Sequence, residues 1–172
     1  GGGGGELGVA GRNKGADARG LEIDPPNVTA AIARGQSVVQ GDANRDLADY
    51  PDDAFDYAIL SQTLQTTERP DKVVDELLRI APRAFLSFPN FAHWRVRLAL
   101  LWGGRMPVTR SIPVAWYETP NIHHVTDSDF RDLVSAKGIK VERVWHLSGD
   151  KPASDAAASW RAEHAIFLIS RT

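Results

Sequence analysis

Five successive glycines, Gly1 to Gly5, stand ahead of Glu6-Leu7, and an acid, Glu22, closes the strand-like run that follows. Glycine lets backbone N–H groups approach an anionic or polar ligand closely. In nucleotide-binding α/β folds an acid about 20 residues beyond such a loop accepts hydrogen bonds from ribose hydroxyls. Asp42, after a further apolar run, is the acid that a purine-ring contact would use. Each feature also has a plainer role: a glycine run matches any G-x-G spacing, Glu22 can be a surface acid, and Asp42 can be a turn residue beside Gly41. Gly3-x-Gly5-x-x-Gly8 satisfies the dinucleotide spacing too, so an NAD-dependent oxidoreductase stays open at this point.

These residues need a scaffold, and the apolar pattern supplies one by alternating short strand-like runs with helix-like stretches. That alternation predicts βαβ units around a parallel sheet. Strands are expected at 18–23, 37–40, 56–60, 84–88, 139–147 and 165–170. Asp24-Pro25-Pro26 reads as a helix start with Gly35 as its stop, and Pro70 opens a helix with Val73, Val74, Leu77, Leu78 and Ala81 on one face. Thr126 caps a helix bearing Phe130, Leu133 and Val134, stopped by Gly138, and residues 148–159 read as an exposed loop. We expect one domain over 1–172, interrupted by an insertion at 90–125 that is longer than a normal connection. The insertion holds Trp94, Trp102 and Trp116 and follows a strand's carboxyl end, where open α/β sheets bind ligands.

Composition narrows the classes. The 172 residues are 42% hydrophobic and contain no cysteine, which excludes disulfides, thiolate zinc sites and cysteine nucleophiles. No apolar run approaches the ~20 residues of a membrane span, and the start lacks a signal-peptide profile, so the cytoplasm is expected. A net charge of −2 gives no hint of nucleic-acid binding. Charge is nonetheless uneven: six aspartates lie between Asp42 and Asp56, and four arginines (Arg95, Arg97, Arg105, Arg110) with no acid lie between Phe91 and Tyr117. A solvated face is the plain account of each run. The arginines also suit a carboxylate or phosphate ligand, or an acidic protein surface.

Several stretches carry a resemblance. Gly-Leu-Glu-Ile-Asp-Pro (20–25), Gln-Gly-Asp (40–42), Phe-Asp-Tyr-Ala-Ile-Leu-Ser-Gln-Thr-Leu-Gln (55–65) and Ser-Phe-Pro-Asn-Phe (87–91) resemble the class I S-adenosylmethionine-dependent methyltransferases. His93 to Arg97, Gly104 to Thr109 and Trp116 to His123 narrow the resemblance to the MetW family of methionine biosynthesis. It implies a Rossmann-like α/β fold, with a mostly parallel sheet, a reversed final strand and helices on both faces. It also implies S-adenosylmethionine or S-adenosylhomocysteine as cofactor. Gly1, Gly3 and Gly5 would cradle the methionine part, Glu22 the ribose, Ile23, Asp42 and Ala43 the adenine, and Ser61 and Gln62 the methyl-donor pocket. The family's first motif has a cysteine and an internal acid where this chain has Gly2 and Gly4, and His124 stands where an apolar residue is expected.

Methyl transfer from a sulfonium is an in-line displacement, for which alignment matters more than a general base. Where the acceptor needs a base, His93, Tyr117, Glu118 and His123 are the candidates, and each can equally be a packing or hydrogen-bonding residue. No metal site is expected. The family resemblance leaves two function classes: a methyltransferase acting on a small anionic metabolite, or a non-catalytic companion of homoserine O-acyltransferase. The tryptophans and arginines of the insertion would anchor such a partner.

Overall fold

The computed structural model describes residues 19–22, 33, 37–40, 42–109, 111–149, 151–153 and 157–172, with 19–22, 37–40 and 158 described by backbone alone. Among the described residues two parallel strands come first: β1 (Arg19–Glu22) and β2 (Ser37–Gln40), registered with Glu22 opposite Gln40. Of the helix expected between them, Ala33 is described and is helical.

A second sheet, of five strands, is built from β3 (Ala58–Ser61), β4 (Arg83–Pro89), β5 (Lys140–Ser148), β6 (Lys151–Pro152) and β7 (His164–Ser170) in the order β3-β4-β7-β5-β6. β3 and β4 are parallel, whereas β7 is antiparallel to both of its neighbours, β4 and β5. The reversed final strand is therefore present. The sheet as a whole is mixed rather than mostly parallel, because β7 enters between two strands of the opposite direction and β6 folds back on β5 as a hairpin. Within the stretch 148–159, expected to be an exposed loop, the described residues include β6, and the short α4 (Ala158–Arg161) begins there.

One sheet face is apolar and closed. Ala58 and Leu60 of β3, Ala84, Leu86 and Phe88 of β4, and Ala165, Phe167 and Ile169 of β7 are all buried on it. Helix α1 (Pro70–Ile80) brings Val73, Val74, Leu77 and Leu78 to the same core. Its proline occupies the first turn, where no intrahelical N–H is needed. Helix α3 (Asp127–Ala136) brings Phe130 and Val134; Phe130 sits 5.1 Å from Phe88 and 4.7 Å from Phe167, ring centre to ring centre. The Thr126 hydroxyl accepts the Asp129 N–H at 3.1 Å, as an N-cap should, and Gly138 takes a φ of 67° two residues past the helix. On the opposite face Tyr57, Phe85 and Trp145 form a row with centroid spacings of 5.9 and 6.1 Å.

The insertion contains helix α2 (Trp94–Gly103), which ends at Gly104 in the left-handed conformation (φ 57°). Gly103 and Gly104 are therefore a helix end. The insertion's two limbs meet where the Phe91 N–H donates to the Val125 carbonyl at 3.0 Å, and His124 lies edge-on to Phe91 with centroids 4.3 Å apart. An aromatic ring is what occupies the position expected to be apolar. No helix among the described residues is long and apolar enough to cross a membrane.

Candidate functional site

The carboxyl end of β3 is tied to β4 by an unusual turn. Apolar Ala58 to Leu60 carry the chain through the sheet, and Ser61 pairs in register with Ser87. Gln62 then takes a φ of 50°, a region a side chain with a Cβ enters at a cost of about 1–2 kcal/mol. Its N–H donates to the Ser87 carbonyl at 3.0 Å, and its side-chain amide reaches Ser87 Oγ at 3.4 Å. The Thr63 hydroxyl donates back to the Ser61 carbonyl at 2.8 Å. Such strain concentrates at functional sites, where surrounding bonds hold it in place.

A 3-10 turn, Leu64–Thr66, follows, and it anchors the far limb of the insertion. The Gln65 carbonyl accepts both the Ile122 N–H (2.9 Å) and the His123 N–H (3.0 Å), and His123 Nε2 lies 3.4 Å from the Glu68 carbonyl. The Gln65 amide donates to the Gln62 carbonyl at 2.9 Å, while its oxygen is buried without a partner among the described residues. Gln65 and Ser87 were not picked out as site residues in the sequence. Gln65 does lie in the 55–65 stretch that carries the family resemblance, and that was the available signal.

Asp42 forms the second cluster. Its Oδ1 accepts the Asn44 backbone N–H (2.9 Å) and side-chain amide (2.8 Å), so the carboxylate organises a turn; its own N–H donates to Asp46 Oδ2 at 2.6 Å. Asn44 Oδ1 in turn accepts the Glu68 N–H at 2.8 Å. That bond links the Asp42–Ala43 turn to the segment running from Gln62 through Gln65 to Glu68. Ala43 packs against the core and helps line a cleft of about 100 Å³ with Arg45, Leu47, Glu68 and Lys72. Glu22 is the last residue of β1, opposite Gln40, so Glu22 and Asp42 sit at the same end of two paired parallel strands. Gly1, Gly3, Gly5 and Ile23 lie outside the described residues.

Among the described residues no hydrogen bond, ion pair or ring contact joins the four acid–base candidates to one another. His93 is buried at the N-cap of α2, where burial pushes its pKa below the usual imidazole value, and its ring stands 5.8 Å from that of Trp94. Tyr117 and Glu118 are exposed, Tyr117 lying edge-on to Trp116. His123 belongs to the limb tied to Gln65. Among the described residues no three His, Asp or Glu side chains are grouped as metal ligands would be.

Solved structures with the same architecture include a SAM-dependent methyltransferase from Archaeoglobus fulgidus (TM-score 0.72, 12% identity, 99% of this chain and 83% of that one). Another is an S-adenosylmethionine-dependent methyltransferase from Mesorhizobium loti (TM-score 0.72, 17% identity, 99% and 88%). At these identities the likeness defines the fold, which is the Rossmann-like α/β fold of S-adenosylmethionine-dependent methyltransferases. The family model for methionine biosynthesis protein MetW matches residues 1–169, and the chain belongs to that family. It is also 32% identical over 156 residues to the bifunctional methionine biosynthesis protein MetXA/MetW of Rhodopirellula baltica. That match takes in 88% of this chain and 25% of the relative, so the chain spans about a quarter of the relative's length.

Proposed function

We propose that the chain binds S-adenosylmethionine or S-adenosylhomocysteine at the carboxyl ends of β1, β2 and β3, and works with homoserine acyltransferase in methionine biosynthesis. The observation that carries the cofactor part is the strained Gln62 turn, which fixes Ser61 and Gln62 at the end of β3. The residues suit the ligand chemically: Glu22, Asp42, Ser61, Gln62 and the unpartnered Gln65 oxygen are acceptors, with no cation among them. A ligand carrying ammonium, sulfonium and ribose hydroxyl groups needs acceptors of that kind.

In this reading Glu22 holds the ribose, Ile23 packs on the adenine, Asp42 and Ala43 meet its edge, and Gly1, Gly3 and Gly5 cradle the methionine part. Ser61 and Gln62 wall the pocket around the sulfonium, which when bound supplies an electrophilic methyl group. The whole of 1–172 then acts as one domain, with 90–125 laid over the carboxyl end of the sheet. The acyltransferase part rests on the family and on the fused MetXA/MetW relative.

A second reading, methyl transfer to a small anionic acceptor, is favoured by the exposed Arg95 and Arg105. His93, whose burial disfavours the charged ring, is then the candidate base. Calorimetric titration of S-adenosylmethionine, S-adenosylhomocysteine and NAD⁺ into the whole chain tests the cofactor assignment. Saturable binding of the first two is expected, weakened by Glu22→Ala by about 1–3 kcal/mol, the range for losing a hydrogen bond to a charged group. Binding of NAD⁺ alone would turn the reading to the oxidoreductase, and unchanged affinity in Glu22→Ala would remove the ribose role.

A further inference from the structure

Helix α2 is apolar on nearly every side, yet Val96 is its one buried residue. Helices of that composition are normally enclosed. At about 100° per residue, Val96 and Ala99 face one side, and Trp94, Leu98, Leu101 and Trp102 form a continuous stripe on the other. Along that stripe Leu101 is 74% and Trp102 77% exposed, which is far from the norm for side chains of this size. Past the turn at Gly104, Met106, Val108, Trp116 and Tyr117 are exposed as well.

The stripe has a charged border. Arg95 and Arg97 flank it on the helix, and Arg105 follows the helix end. Arg97 is engaged within the chain: it donates to the Ala92 carbonyl at 2.6 Å and to Ser159 Oγ at 3.2 Å, and lies over the Trp160 ring. Arg95 rests on the Trp94 ring at 5.3 Å, and neither it nor Arg105 has a carboxylate partner among the described residues. No acid occurs between Phe91 and Tyr117. A two-fold contact of this face with a second copy would therefore set arginine against arginine. The chain's acidic stretch is also largely engaged, since Asp42 and Asp46 hold their own turn, Asp52 pairs with Arg79 and Asp53 with Arg171.

We infer that the Trp94–Leu98–Leu101–Trp102 face of α2, bordered by Arg95 and Arg105, is the surface that docks a partner protein through an apolar groove with an acidic rim. This rests on the reading above in taking homoserine acyltransferase as that partner. Buried tryptophan and arginine are the residue types that dominate binding energy at such surfaces.

The test is calorimetric titration of the whole chain against the homoserine acyltransferase encoded in the same genome. Wild type is compared with Leu101→Ser, Trp102→Ser and Arg95→Glu, with circular dichroism and S-adenosylmethionine binding as checks that each variant folds. A saturable complex is expected, weakened about 30-fold or more by Trp102→Ser, the scale of a hot-spot residue. Arg95→Glu is expected to weaken it and to flatten its salt dependence. A complex that forms equally well with Leu101→Ser and Trp102→Ser overturns the surface while leaving the acyltransferase partnership standing. Absence of any wild-type complex overturns the partnership and the inference with it. Wild-type self-association, abolished by Trp102→Ser in light scattering, makes a second copy the occupant and overturns the acidic partner.

Discussion

Asp127 Oδ1 lies 2.8 Å from His146 Nε2, joining the first residue of α3 to the last third of β5 with both side chains almost wholly buried. The other carboxylate oxygen accepts from Arg131 Nε, also at 2.8 Å, one helical turn on. The Arg131 guanidinium in turn sits 5.1 Å from the centre of the Phe167 ring on β7. A single carboxylate thus coordinates a helix and two strands. Removing it takes an acceptor from the buried His146 ring and from Arg131, so Asp127→Ala is expected to cost about 1–3 kcal/mol in urea denaturation. Asp127→Asn, which keeps an acceptor, is expected to cost clearly less.

Gly103 and Gly104 are neighbours that respond in opposite ways. A Cβ at either meets nothing within 4 Å, so only backbone preference matters. Gly104 sits at φ 57°, and Gly104→Ala is expected to lower stability by about 1 kcal/mol. Gly103 is the last helical residue, and Gly103→Ala is expected to raise stability by about 0.5 kcal/mol. Thermal midpoints moving in the same direction for both variants would refute this account of the helix end.

Gln62 offers a separation of stability from binding. Gln62→Gly relieves the positive φ and is expected to add about 0.5 kcal/mol after the entropy glycine costs. The same change removes a side chain assigned to the methyl-donor pocket, so affinity for S-adenosylhomocysteine is expected to fall as the melting temperature rises. A rise in both would show that the side chain has no part in the pocket.

His93 makes stability depend on pH. Its folded pKa lies below the unfolded value near 6.5, chiefly because burial disfavours the charged ring. As pH falls through 6.5 the unfolded chain takes up the proton first, so the stabilisation present above 6.5 is lost towards the folded pKa. The drop in urea midpoint between pH 7.5 and about 5 is expected to be smaller in His93→Gln than in wild type.

The elements most legible in the sequence are those whose signals are local. Pro70 and Thr126 mark helix starts by chemistry that needs no tertiary context, and both helices begin where expected. Helix α2 lacked a readable face because its apolar residues surround it, and periodicity signals burial only where the two sides differ. The mixed sheet was hidden for another reason: an alternating apolar run such as His164–Ser170 states its two faces but not its direction or its neighbours. Spacing singles out Glu22 and Asp42, and the strand register sets them at the same end of β1 and β2, while Asp42 also serves as the turn residue its position beside Gly41 suggests. The Gln65 carbonyl that anchors Ile122 and His123 was not legible, because backbone acceptors leave no mark on residue type.

The position of β7 has a consequence for synthesis. It is the third strand of five in the sheet, yet it follows all the others in the chain. Until His164–Ser170 has left the ribosome, β4 and β5 have no common neighbour, and each keeps an open edge along which unfinished chains could pair. Completion of the sheet is therefore a late, long-range event, with β4 waiting for a segment roughly 80 residues downstream, and loop closure of that span is slow.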